Sequence, residues 1–135
     1  MLWTFFDFAY LNGTNPIDDW YQRDLSEDAQ FLFDKALKDC QKIELPKNWT
    51  AFKRFLEGKP KEDRIWELQF YSDGRQYRIL GVFGPQRKQA TLLIGCYHKA
   101  KVYTPSDAIE TASRRAKLLA NGEATRHERK IPLDR

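Results

Sequence analysis

Residues 65–83 read Ile-Trp-Glu-Leu-Gln-Phe-Tyr-Ser-Asp-Gly-Arg-Gln-Tyr-Arg-Ile-Leu-Gly-Val-Phe, and this stretch decides the fold. Over residues 65–70 the pattern has a period of two, with Trp66, Leu68 and Phe70 on one face and Glu67 and Gln69 on the other. Ser72-Asp73-Gly74 supplies a hairpin turn. Residues 77–83 are the return strand, ended by Gly84-Pro85. The next run, residues 90–97, is nearly all apolar, as a central strand covered on both faces should be. The middle of the chain is therefore an antiparallel meander.

Working outward, Leu2, Trp3, Phe5, Phe6, Phe8 and Tyr10 predict a first strand over residues 2–10. Asn15 caps a short helix with Pro16 at its first position. Residues 26–41 form the clearest helix: Ala29, Leu32, Phe33, Ala36, Leu37 and Cys40 make one apolar stripe, with Ser26 or Asp24 as cap. A shorter turn over residues 50–56 presents Phe52, Phe55 and Leu56, is closed by Gly58, and leads into a charged loop over residues 59–64. On the C-terminal side, Thr104-Pro105 opens a last helix as cap and first-turn proline, with Asp107 near its positive end. Ile109, Ala112, Ala116 and Leu119 face the core, and Asn121-Gly122 stops the helix. Residues 1–122 read as a single domain and residues 123–135 as a polar, mobile tail. The fold class is α+β, an antiparallel-dominated sheet with helices packed against one face. Trp3, Trp20, Trp49 and Trp66 are assigned to the core.

Composition narrows the function. With 135 residues, 41% hydrophobic and 31% charged, the chain is an ordinary globular domain; its 7 Gly and 6 Pro exclude collagen, and no repeat suggests a solenoid. No apolar run approaches the ~20 residues of a membrane-spanning helix. The first 13 residues hold Asp7 and no Lys or Arg, so no signal peptide is expected and the cytoplasm is the expected location. Cys40 and Cys96 fall on a helix and an apolar strand and read as small buried hydrophobes. Charge is unevenly spread: residues 1–70 carry 10 Lys+Arg against 13 Asp+Glu, and residues 71–135 carry 13 against 6. The second half, net +7, suits an anionic partner, with nucleic acid first and a merely solvated surface as the alternative.

One constellation carries chemistry: Arg64, Arg75, Arg78, His98, Lys99, Lys101 and Tyr103, which three consecutive strands could bring together on one sheet face. Arg78 shares a face with Leu80 and Val82, and an arginine in mid-strand is costly to bury without a partner or ligand. A pairing with Glu67 across the hairpin is the structural alternative. His98 ends the apolar strand, where an imidazole titrates near neutral pH and serves acid–base chemistry. His127 lies in the tail and is expected to be inert. Tyr97 and Tyr103 are candidates to stack on bases. Two histidines and two cysteines without metal spacing predict no metal site. The common hydrolase and nucleotide-binding motifs are absent from the sequence.

Three pieces in order, Leu56-Glu57-Gly58-Lys59-Pro60, Arg64-Ile65-Trp66-Glu67-Leu68 and Gly74-Arg75-Gln76-Tyr77-Arg78-Ile79-Leu80, resemble the centre of the RelE/ParE toxin superfamily. The closer likeness is to its HigB-type and phage-derived branch. Residues 92–105, Leu-Leu-Ile-Gly-Cys-Tyr-His-Lys-Ala-Lys-Val-Tyr-Thr-Pro, resemble that branch's segment before a final helix rich in Ala and Arg. The likeness covers residues 15–120.

The resemblance implies a small RelE-like domain: a curved sheet, N-terminal helices packed on one face, and a C-terminal helix. It implies a toxin of a type II toxin–antitoxin pair that enters the ribosome and cuts mRNA by 2′-OH attack, with no metal or cofactor. The implied partners are the ribosome, mRNA and a cognate antitoxin, often a helix-turn-helix protein. Carried onto this chain, it implies a catalytic set of Arg78, His98, Lys99 and Tyr103, with Arg64, Arg75 and Lys101 as RNA contacts. In that assignment Arg78 stabilises the phosphorane-like state and His98 is the base or acid. Lys99 and Lys101 hold phosphate and lower the His98 pKa, and Tyr103 meets the nucleotide. The chain departs from the branch at Gln69, where Arg or Lys is usual, and at His98, which replaces a lysine. An extra residue also precedes Thr104-Pro105. A ParE-like gyrase inhibitor and a non-catalytic binding module on the same fold are the alternatives.

Overall fold

The computed structural model describes residues 3–56 and 64–132. Leu2, the quoted Glu57-Gly58-Lys59-Pro60 piece and the rest of the charged loop through residue 63 lie outside the described residues, as do residues 133–135. Among the described residues the order is β1 (Thr4–Tyr10), α1 (Pro16–Asp24), α2 (Glu27–Gln41), β2 (Phe52–Phe55), β3 (Trp66–Ser72), β4 (Arg75–Phe83), β5 (Gln89–Lys99), β6 (Val102–Thr104), α3 (Ala108–Ala120) and β7 (Ala124–Glu128). The strands make one sheet in the order β2-β3-β4-β5-β1-β7, with β6 beside the end of β5. Only β1 and β5 run parallel. The α+β class and the antiparallel meander follow the sequence reading.

Local chemistry explains the elements. The Asn15 side chain accepts from the Asp18 N–H at 2.9 Å and Ser26 caps α2 by accepting from Ala29 at 3.1 Å. Asp73 and Gly74 both take positive φ (56° and 76°), so β3 turns into β4 through a two-residue loop with Ser72 opposite Arg75. Alternation then sorts the core into two layers. Phe5, Trp66, Leu68, Ile79 and Leu92 pack against Ile17 and Tyr21 of α1 and Phe33 and Leu37 of α2. Phe8, Leu80, Leu93, Ile94 and Cys96 face the other way, against Ala108 and Ala112 of α3. The N-terminal helices thus cover one face and α3 covers the opposite one. A bulge between Leu80 and Gly81 leaves Leu93 as an extra residue of β5, which is why Leu93 and Ile94 share a face. Trp3, Trp49 and Trp66 are buried and Trp20 packs on the same layer, its ring lying where a Cβ on Gly95 would have to go.

Four expectations are corrected. Helices cover both faces of the sheet and not one, because the residues of β4 and β5 that point away from α1 and α2 are also apolar and take α3. Residues 52–55 are an edge strand, not a turn: the register slips between Phe52 and Arg54, so a bulge at Lys53 puts two phenylalanines three apart on one face and imitates a helical spacing. Thr104 is the last residue of β6 and α3 begins at Ala108, with Asp107 in the cap position but making no side-chain cap bond. Over Ala124–Glu128 the presumed tail is a strand, β7, paired antiparallel with β1 from Phe6↔Glu128 to Tyr10↔Ala124.

The residues after β7 are tied down by charge. The Arg129 N–H donates to Phe5 O at 2.8 Å, and its guanidinium donates to Asp7 at 2.9 Å and Asp18 at 3.0 Å while lying over the Tyr21 ring. Asp7 is buried and also receives the Asn15 amide. Arg129→Ala would leave the Asp7 carboxylate in the core without its cation, which costs about 3–5 kcal/mol. Urea denaturation of the variant should show that loss; an unchanged midpoint would contradict the docking of this segment.

Candidate functional site

The side chains of Glu67, Gln69, Arg78 and His98 rise from β3, β4 and β5 on the α3 side of the sheet, beyond the end of β1. Register brings them together: Gln69 lies opposite Arg78, Arg78 opposite Cys96, and Gln76 opposite His98. The β5–β6 hairpin turns on Ala100 and Lys101, both at positive φ (51° and 68°), and this tight loop returns the chain so that Tyr103 sits directly opposite His98. The bulge in β2 does the same on the other flank, setting Arg54 opposite Glu67.

The centre of the cluster is Glu67, fully buried at 0% exposure. Tyr103 Oη donates to its Oε1 at 2.8 Å and Arg54 Nε to its Oε2 at 3.2 Å. Arg78 Nε lies 3.2 Å and His98 Nε2 3.7 Å from Oε1. Arg78 is itself buried, and its two Nη atoms donate to the amide oxygens of Gln69 at 2.7 Å and Gln76 at 3.0 Å. The imidazole of His98 meets the Tyr103 ring edge-on, centroids 4.3 Å apart. A buried carboxylate between two guanidiniums and a phenol is satisfied on both oxygens, which is the condition for keeping such a charge in a sheet.

This environment sets protonation. Burial, then the Arg78 charge, pushes His98 below its ordinary 6.5, with Glu67 opposing and Arg54 and Lys53 adding to the fall. His98 is therefore neutral at pH 7 and able to accept a proton. The lowering follows expectation, but its sources are not Lys99 and Lys101. Burial and the bond to Glu67 push Tyr103 far up, so it stays a neutral donor. Burial likewise raises Cys96 to about 12, and the Cys40 thiol to about 12, leaving no thiolate nucleophile at either.

Of the seven residues singled out from sequence, Arg78, His98 and Tyr103 converge. The other four do not. Arg75 is on the opposite face, its guanidinium 4.4 Å from the centroid of Tyr97 in a pocket shared with Trp20 and Tyr77. Parity separates it from Arg78, since the two are an odd number of residues apart on one strand. Arg64 lies over the Phe55 ring at 4.3 Å, in a groove beside the end of α3. Lys99 ends β5 and Lys101 is in the hairpin turn, both exposed. The pairing of Arg78 with Glu67, set aside in the sequence as a structural alternative, is realised. Missing from the expected site were Glu67 as its hub and Arg54. The signal for Glu67 was its polar position in the most apolar segment of the hairpin; Arg54 gave none, because the bulge that aims it is invisible in the pattern.

Among the described residues no group of three His, Cys, Asp or Glu side chains could hold a metal, and no helix is long and apolar enough to cross a membrane. The fold and site together define a small α+β domain with a histidine- and arginine-bearing cluster on one sheet face. The family described as phage-derived protein Gp49-like (DUF891) matches residues 21–117, and the chain belongs to it. It is a RelE-like, toxin-like family. No curated protein and no solved structure matches the chain.

The His98 shift has a signed consequence. Between its folded value and 6.5 the unfolded chain binds more protons than the native one, so this group's contribution to stability is full above 6.5 and falls as pH drops through that window. In urea titrations from pH 8 to 5, His98→Gln should lose stability less steeply than wild type below pH 6.5. Parallel curves would show that His98 is not held neutral by its surroundings.

Proposed function

We propose that this protein is the toxin of a type II toxin–antitoxin pair, of the HigB-type branch, and that it cuts mRNA on the ribosome without metal or cofactor. The observation that carries the reading is the convergence of neutral His98, neutral Tyr103 and buried Arg78 around Glu67, in a chain of a toxin-like family. In the reaction the 2′-oxygen attacks the adjacent phosphorus and the bond to the 5′-oxygen breaks. The products are a 2′,3′-cyclic phosphate and a 5′-hydroxyl.

Each step has a residue. His98 takes the 2′-OH proton; with Nε2 turned to Glu67, Nδ1 is the nitrogen left for the substrate. The imidazolium so formed faces a carboxylate 3.7 Å away, which stabilises it and holds the ring in place. Arg78 and half-exposed Arg54 supply positive charge for the phosphorane. Two of the five N–H groups of Arg78 are bonded to Gln69 and Gln76 and Nε lies 3.2 Å from Glu67 without a hydrogen bond, which leaves N–H groups of the guanidinium for phosphate. Tyr103, its one proton held on Glu67, packs against the His98 ring and fixes it, and the departing 5′-oxygen recovers the proton from the His98 imidazolium through water. Lys99, Lys101, Arg64 and Arg75 lie outside this cluster and act on RNA or ribosome away from the cut. The cognate antitoxin, a helix-turn-helix protein in this branch, and a cytoplasmic site of action complete the reading.

Induced expression in a bacterial host, with growth and mRNA 5′ ends followed together, tests it. Wild type should arrest growth and create new mRNA ends. His98→Ala and Arg54→Ala, both at partly exposed positions, should lower cutting about a hundredfold or more for the histidine and less for the arginine. Arrest with intact mRNA would move the target to gyrase, and no arrest from folded protein would leave a binding module.

A further inference from the structure

The pairing of β2 with β3 ends early. Phe52 pairs with Leu68, Gln69 N donates to Ala51 O, and no strand continues beside Phe70–Ser72 among the described residues. Between this bare edge and α2 lies an open pocket of about 460 Å³, within the range of small-molecule sites. Leu32, Ala36 and Phe70 give it an apolar wall, and Tyr71, 64% exposed, lines it with a free aromatic side chain. Its polar end is Gln69, Gln76 and Arg78, so the pocket opens onto the arginine of the cluster described above. Lys35 and Asp39 also line it but are paired with each other at 2.9 Å.

The amides at the polar end have a fixed polarity. Arginine only donates, so the groups facing Arg78 Nη1 and Nη2 must be the carbonyl oxygens of Gln69 and Gln76. Each glutamine therefore presents its NH₂, which has no acceptor among the described residues, and two donors line the pocket without a matching acceptor. The pocket wraps the sheet edge, and on the face that carries Arg78 an exposed aromatic side chain and two amide donors fit a nucleobase edge that carries two neighbouring acceptors. Guanine has that edge in O6 and N7 on a two-ring face that fills more of the pocket, cytosine has N3 and O2 on a single smaller ring, and adenine offers N7 as acceptor but N6 as a donor. We propose that this pocket takes a guanine base of the RNA strand, flanking the phosphate that Arg78 serves. The proposal rests on the nuclease reading for its RNA, and it makes Gln69 and Gln76 specificity residues.

The test uses the full chain and four tetranucleotides, UUGU, UUAU, UUCU and UUUU, made with 2′-O-methyl sugars so that none can be cut. Fluorescence anisotropy should show UUGU bound about tenfold more tightly than the other three. Gln76→Glu, at an exposed position, keeps an acceptor for Arg78 and removes the donor; it should bring the guanine-to-adenine ratio close to one. Tyr71→Ala should weaken all four by about tenfold through loss of stacking. Equal affinities, no binding, or a guanine preference unchanged in Gln76→Glu would each overturn the proposal. Guanine-selective binding by a protein that cuts no mRNA would uphold the pocket and remove the nuclease reading. Cutting by a protein with no guanine preference would do the reverse.

Discussion

The structure turns on a carboxylate with no access to water. Glu67 sits in the middle of a sheet, where an unpaired ion costs several kcal/mol. Its two oxygens are satisfied by a tyrosine hydroxyl and an arginine Nε, with a second guanidinium and an imidazole beside them. Much of the irregular geometry serves that need. The β2 bulge aims Arg54 at one oxygen, and the tight Ala100-Lys101 turn folds Tyr103 back to the other. Arg78 tolerates burial because Glu67 is there, and Gln69 and Gln76 complete its hydrogen bonds. In the proposed nuclease, Glu67 is thereby a positioning residue: it is itself covered and holds Arg54, Arg78, His98 and Tyr103 in place.

The rest of the fold keeps this cluster open on one side. α1 and α2 fill one face of the sheet, while α3 crosses the other and packs on β5 at Leu93 and Ile94, leaving the far ends of β3–β5 clear. Arg115 fastens α3 there, donating to Leu93 O at 2.7 Å and to the Tyr10 hydroxyl at 3.2 Å. At the opposite edge β7 closes the sheet against β1, outside the stretch that the Gp49-like family matches. The site and the family match thus share the central meander, and the outer strands buttress it.

How much was legible in the sequence follows from which signals are local. The 65–83 hairpin, the α2 stripe and the apolar β5 are periodic patterns, and they appear where the period puts them. Asn15, Ser26 and Asp73-Gly74 are single-residue chemistry with one geometric outcome. β7 leaves no signal in the sequence because the edge strand Ala-Thr-Arg-His-Glu has no apolar period; pairing with β1 and the burial of Arg129 hold it. Position 78 announced itself as a charge among apolar residues, but its company depended on two features that no pattern reveals. One is a bulge at Lys53. The other is a two-residue turn without Gly or Asn. Parity within β4 puts Arg75 and Arg78 on opposite faces, and nearness in sequence to His98 does not bring Lys99 and Lys101 onto its face.

In the proposed function this cluster cuts RNA through the 2′-hydroxyl by proton transfer. Ribosomes programmed with an mRNA carrying one 2′-deoxynucleotide just 5′ of the cut test it most directly. Wild-type protein should leave a 2′,3′-cyclic phosphate on the unmodified message and give no product from the deoxy one. Equal cutting of both, or a 5′-phosphate at the new end, would contradict it.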